Sequence, residues 1–190
     1  MKRTPISAVF VHLLALAALG TLVWWTARIG GLREPWGTRV GQGLSRPFNL
    51  VFEALCVSFL LFNPLAPRET RPFRLAWALG ALALYALVVE SLKRLVFWPR
   101  PNDVGALVPS RGSGFPSGHT VPAFLVAVLV GELEPKLRVP ALCGAILIGY
   151  SRVEVTAHFA SQVWLSALIG VALGWVWCQV RRRWMQRVEE

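Results

Sequence analysis

Lys93 precedes Arg100 by seven residues, and Pro101 follows at once. Further on stand Pro116-Ser117-Gly118-His119, and then Ser151-Arg152 with His158 six residues after the arginine. Each piece has an ordinary use. Lys93 and Arg100 could be cations snorkelling at a helix end, with Glu90 as the partner of Lys93. Ser117 could simply cap a helix, and His119 or His158 could be a polar residue in a turn. Taken together they make a different case. A serine and a glycine before a helix leave free amides and the positive end of the helix dipole for an anion. The arginine fork matches two phosphoryl oxygens at once, and an arginine at membrane depth is costly enough to imply a function. Two histidines with several fixed cations fit metal-free phosphoryl transfer, in which one attacks phosphorus and the other protonates the leaving oxygen. The cations would offset charge in the transition state. The chain has a single aspartate, Asp103, so a carboxylate-caged metal site is poorly supplied. Neither a metal nor a cofactor is expected.

These groups need elements to position them. The 190-residue chain is 55% hydrophobic and only 16% charged, with a mean hydropathy of +0.52. A soluble domain of this length would need more polar surface. Apolar windows of about 20 residues recur, the signature of membrane-spanning helices. The expected fold class is all-α: a polytopic membrane protein with six transmembrane helices, in one domain over residues 1–190. The expected spans are 6–27, 50–65, 75–97, 118–133, 139–155 and 158–180. The second and fourth are short for a hydrocarbon core of roughly 30 Å at about 1.5 Å per residue. The basic, then apolar N-terminus could pass for a secretory signal. Its apolar run continues to Trp25, which reads as an uncleaved first span, with a cleaved signal as the alternative. Cys56, Cys143 and Cys178 all lie in apolar runs and read as packing residues rather than a disulfide framework or zinc site. The Gly- and Pro-bearing segment 30–49 is either a solvated loop or a short interfacial helix through Leu32, Trp36, Val40 and Leu44.

The formal net charge of +10 suits anionic lipid head groups and an anionic substrate. Its arginines are scattered between apolar runs rather than gathered on one polar domain, so nucleic acid is not an expected partner. With the N-terminus inside, eleven of the twenty lysines and arginines fall on the inner side. That bias is slight, and it strengthens if Lys93, Arg100 and Arg152 are held outside for chemistry. All three clusters then share the outer side. Trp24, Trp25 and Trp98 near outer ends and Trp184 near an inner end fit interfacial belts.

The three clusters resemble the signature of the type 2 phosphatidic acid phosphatase superfamily of integral-membrane lipid phosphatases. That signature is a lysine, six residues and Arg-Pro; then Pro-Ser-Gly-His; then Ser-Arg, five residues, histidine, three residues and aspartate. Order and spacing match from Lys93 to Gln162, about a third of the chain. The resemblance implies that His158 is the nucleophile, forming a phosphohistidine, and that His119 is the acid for the leaving group and later the base that activates water. It implies a phosphate cradle of Lys93, Arg100, Ser117, Gly118 and Arg152, a lipid phosphate substrate, and a bacterial cytoplasmic membrane location among membrane lipids. Both termini would be cytoplasmic and the site would face outward.

One position departs from the pattern: Gln162 stands where the family has aspartate. A glutamine can accept a hydrogen bond from the imidazole but brings no charge. Glu154, four residues before His158, could substitute, or it could pair with Arg152 or a neighbouring basic residue; the second is the expectation. The substrates open to this reading are undecaprenyl diphosphate, phosphatidylglycerol phosphate, phosphatidic acid and lipid A. A lipid-to-lipid phosphotransferase on the same scaffold, or a weakened binding or transport relative, are the alternatives.

Overall fold

The structure, a computed structural model, describes residues 5–28, 49–62, 71–101 and 112–189. Asp103 and the segment 30–48 lie outside these residues, so the interfacial-helix expectation falls outside the description. The described residues form an all-helical protein with no strand. Its six α-helices are α1 (Pro5–Arg28), α2 (Asn49–Phe62), α3 (Arg71–Leu95), α4 (Thr120–Leu133), α5 (Arg138–Glu154) and α6 (Ala160–Glu189). Each expected span has its helix. Two segments, Pro72–Leu95 and Ala160–Arg187, are long and apolar enough by themselves to cross a membrane.

α4 is the central helix. Its residues are apolar all round, and Thr120 through Gly131 are buried without a break, as expected for a helix with no polar face. It packs chiefly against α6 and α5, and also against α2, while α1 lies across α5 and α6. The approach of α6 depends on two small residues one turn apart. A Cβ on Gly170 would sit 2.5 Å from the Val121 carbonyl oxygen and 2.8 Å from the Phe124 Cβ. One on Gly174 would sit 2.7 Å from the Val128 Cβ. Small residues at such a four-residue interval let two helix backbones close together.

The connections explain the antiparallel order. Glu134 ends α4, its side chain accepts from the Lys136 amide, and Pro135 starts a single 3₁₀ turn into α5. α5 ends in a tight turn in which Thr156 takes the left-handed conformation, at φ 53°, an uncommon one for a β-branched residue. At the end of the bundle away from this turn, Arg182 of α6 holds Glu132 of α4 through two bonds of 2.8 and 2.7 Å. α6 runs nine residues beyond the expected end at 180, because its terminal arginines, tryptophan, methionine and glutamine include no helix breaker.

Candidate active site

α3 ends at Leu95, with Pro99 and Pro101 close behind. Proline cannot donate into a helix and restricts the residue before it. Lys93 and Arg100 therefore do not share a helical face, although seven residues make about two helical turns; Arg100 lies on the extended segment beyond the helix. That segment pairs with residues 113–115. The Gly114 amide donates to the Trp98 carbonyl at 2.7 Å. The Ser113 hydroxyl lies within hydrogen-bonding distance of the Val96 and Phe115 carbonyls and accepts from the Trp98 and Phe115 amides. The Trp98 and Phe115 rings pack at 5.5 Å.

His158 lies in the turn between α5 and α6, just before α6 starts at Ala160. The Arg152 carbonyl accepts from both the Ala157 and His158 amides, at 3.1 and 3.2 Å. The buried arginine's own backbone therefore fixes where the histidine stands. The imidazole is almost fully buried. Its Nδ1 is 2.7 Å from the Gly114 carbonyl oxygen, and its Nε2 is 3.3 Å from Nη1 of Arg100. A carbonyl can only accept and a guanidinium can only donate. The two partners together assign the proton to Nδ1 and leave a lone pair on Nε2. Arg100 is anchored by two further bonds, Nη1 to the Ala157 carbonyl at 3.0 Å and Nε to the Gly112 carbonyl at 3.2 Å.

Burial lowers the His158 pKa most, and the charge of Arg100 adds to it, with a smaller push from Arg152. The Gly114 carbonyl, and last the Gln162 side chain, act the other way; the result is about 4. Burial also lowers Arg100, although an arginine stays charged at neutral pH. At neutral pH the site thus holds an uncharged imidazole whose free nitrogen faces a cation.

Pro116-Ser117-Gly118-His119 leads into α4. Ser117 is fully buried; its hydroxyl accepts from the Thr120 amide at 3.3 Å, and its amide donates to Ser166 of α6 at 2.7 Å. Its side chain is used as a helix cap. Gly118 faces the cation of α3: a Cβ there would lie 3.7 Å from Lys93 Nζ. The Tyr85 hydroxyl fixes the same residue by donating to its carbonyl at 3.0 Å. Lys93 itself reaches Glu90 at 3.4 Å, a partly exposed pair of the kind that contributes little, so an arriving anion displaces little. His119 stands at the start of α4, half-buried.

Two expectations change. Gln162 is fully buried, and its amide is directed to backbone groups: Oε1 accepts from the Phe159 amide at 3.1 Å and Nε2 donates to the Pro99 carbonyl at 2.7 Å. The short contact of His158 Nδ1 is with a peptide carbonyl, that of Gly114, and the Gln162 side chain adds a weaker hydrogen-bonding influence on the ring. Glu154, expected to pair with Arg152 or a neighbouring base, accepts from the Tyr150 hydroxyl at 3.1 Å. The sequence reading also missed Ser113, Tyr85, Ser166 and the Gly114 carbonyl. A hydroxyl inside an apolar run, as at Tyr85 and Ser166, was the available signal for two of them.

Residues 74–186, more than half of the chain, match the PAP2 superfamily. An undecaprenyl-diphosphatase of Bacillus subtilis, BcrC, is 28% identical over 102 residues, which cover 51% of this chain and 53% of that enzyme; the chain thus spans about half that relative's length. A lipid A 1-phosphatase of Rhizobium etli is 28% identical over 88% of this chain and 79% of its own. Among solved structures, a PAP2-type phosphatidylglycerolphosphate phosphatase from Bacillus subtilis shares the fold, with a TM-score of 0.65 over 94% of this chain and 96% of its own at 22% identity. LpxE of Aquifex aeolicus aligns with a TM-score of 0.57 at 29% identity, over 78% and 88% of the two chains.

Proposed function

The chain belongs to the PAP2 superfamily, and from that premise we propose that it is a metal-independent phosphatase of lipid phosphates or diphosphates, working through a phosphohistidine on His158. The observation that carries this reading is the bare Nε2 of a neutral, buried imidazole against the Arg100 guanidinium. Nε2 attacks phosphorus, forming the N–P bond as the P–O bond to the lipid breaks. His119 gives its proton to the leaving oxygen. Water then attacks the phosphorus, His119 takes the water's proton, and the N–P bond breaks to release phosphate and restore the ring. Lys93, Arg100 and Arg152 supply charge, and the start of α4 beside Gly118 supplies the positive end of a helix dipole. The relatives named above act on undecaprenyl diphosphate and lipid A, and one structural neighbour on phosphatidylglycerol phosphate. We assign this chain to that class of substrate. Its helices are read as six spans of a bacterial cytoplasmic membrane, with both termini cytoplasmic and the site facing outward.

The test is phosphate release by the purified protein in detergent, after exhaustive EDTA treatment, from a panel of lipid phosphates and diphosphates. Release is the expected result. Label passing to a second lipid instead would make it a transferase. Activity restored only by Mg²⁺, Mn²⁺ or Zn²⁺ would sink the mechanism.

A further inference from the structure

The aspartate of the family signature is absent, yet the imidazole at His158 already has an acceptor. That acceptor, the Gly114 carbonyl, sits on a strap pinned from both sides. Ser113 ties the strap to the end of α3 through Trp98 and Val96, and the Gly114 amide ties it again to the Trp98 carbonyl. On the other side lies the Gln162 amide. A Cβ on Gly114 would fall 2.7 Å from Gln162 Nε2 and 2.8 Å from Oε1. The strap therefore has to be glycine for the amide to lie against it. The amide's two ends join the segment that carries Arg100 (at Pro99) to the turn that carries His158 (at Phe159).

We propose that Gln162 is a positioning residue that clamps the Arg100 segment to the His158 turn, and that the Gly114 carbonyl, held by Ser113, is the neutral acceptor for the nucleophile's Nδ1 proton. The chemistry at position 162 demands a donor as well as an acceptor. An aspartate there would face the Pro99 carbonyl with a buried oxygen and no proton to offer, which leaves one acceptor unsatisfied and sets it against a charge. Glutamine serves both backbone groups with one amide. The consequence for His158 is a partner without charge. The charged groups that face the ring are Arg100 from the strap side and Arg152 from α5, both positive. Burial first, and then both arginines, oppose protonation and lower the ring's pKa to about 4, so that at neutral pH it is uncharged with its proton on Nδ1.

The kinetic part of this inference rests on the phosphohistidine reading; the tautomer part does not. The chain has three histidines, so ¹⁵N-histidine spectra in detergent micelles can be assigned with a His158→Ala control. Wild type and Gln162→Met should both show His158 with the proton on Nδ1 and a titration midpoint well below the ordinary 6.5. Their kcat values for phosphate release from dioctanoyl phosphatidic acid should differ by about tenfold to a hundredfold through misplacement, with KM little changed. Gln162→Asp should also lose activity. Ser113→Ala, which leaves position 162 intact, should loosen the strap and give a mixture of tautomers. A Gln162→Met spectrum with scrambled tautomers, a faster Gln162→Asp enzyme, or an unchanged ring in Ser113→Ala would each overturn the proposal. A wild-type protein that releases no phosphate removes the phosphatase reading, while the spectra still decide which group holds the ring.

Discussion

At the scale of the residue, the roles proposed for the two histidines separate by leaving group. His158→Ala should abolish turnover on every substrate, because on the proposed mechanism the N–P bond has nowhere else to form. His119→Ala should retain more activity on diphosphates and aryl phosphates than on alkyl phosphates, since a weakly basic leaving oxygen needs less protonation. Equal loss across such a series, measured as kcat/KM, would count against the division of labour. The side-chain types at this site were legible because two histidines, a lysine and two arginines fall in three short clusters at the ends of apolar runs. The Gly114 carbonyl was not: a peptide group leaves no mark in composition, and only the fold brings residue 114 to residue 158. Glu154 shows the same limit. Its spacing allowed Arg152 or His158 as a partner, and the turn of α5 gave it Tyr150.

At the scale of the element, α6 does two jobs along one axis. Its first turn supplies Gln162, its second Ser166, and its middle supplies the glycines against which α4 lies. Gly170→Leu places carbon where the Val121 carbonyl already stands, and a helix backbone cannot yield as a side-chain tip would. We expect a loss of about 1–3 kcal/mol from overpacking, together with lower kcat as Ser166 and Gln162 shift with the helix. Thermal unfolding in detergent and phosphate release, measured on one preparation, check both; an unchanged melting temperature would show that the contact is not tight. The positions of the helices were readable from apolar runs and proline punctuation. The extension of α6 to Glu189 was not, because the expected span ended with its apolar run, while the arginines that follow are also good helix formers.

At the scale of the whole molecule, the site and the 3₁₀ turn of Pro135–Leu137 lie at opposite ends of α4. Under the proposed topology Lys136, which is exposed, lies on the cytoplasmic side. A cysteine at Lys136, in a variant lacking the native cysteines, should react with an impermeant thiol reagent only after spheroplasts are lysed. Labelling of intact spheroplasts would invert the arrangement. The length of α4 carries a consequence of its own. Fourteen residues make about 21 Å of helix, against a hydrocarbon layer of roughly 30 Å. Under the proposed topology, with the far end of α4 at the inner surface, the end that starts beside Gly118 would sit below the outer one. A lipid head group would then have to sink beneath the level of its neighbours to react, and further as the host bilayer thickens. On that reading the acyl composition of the membrane becomes a control on turnover that acts without touching any residue of the site.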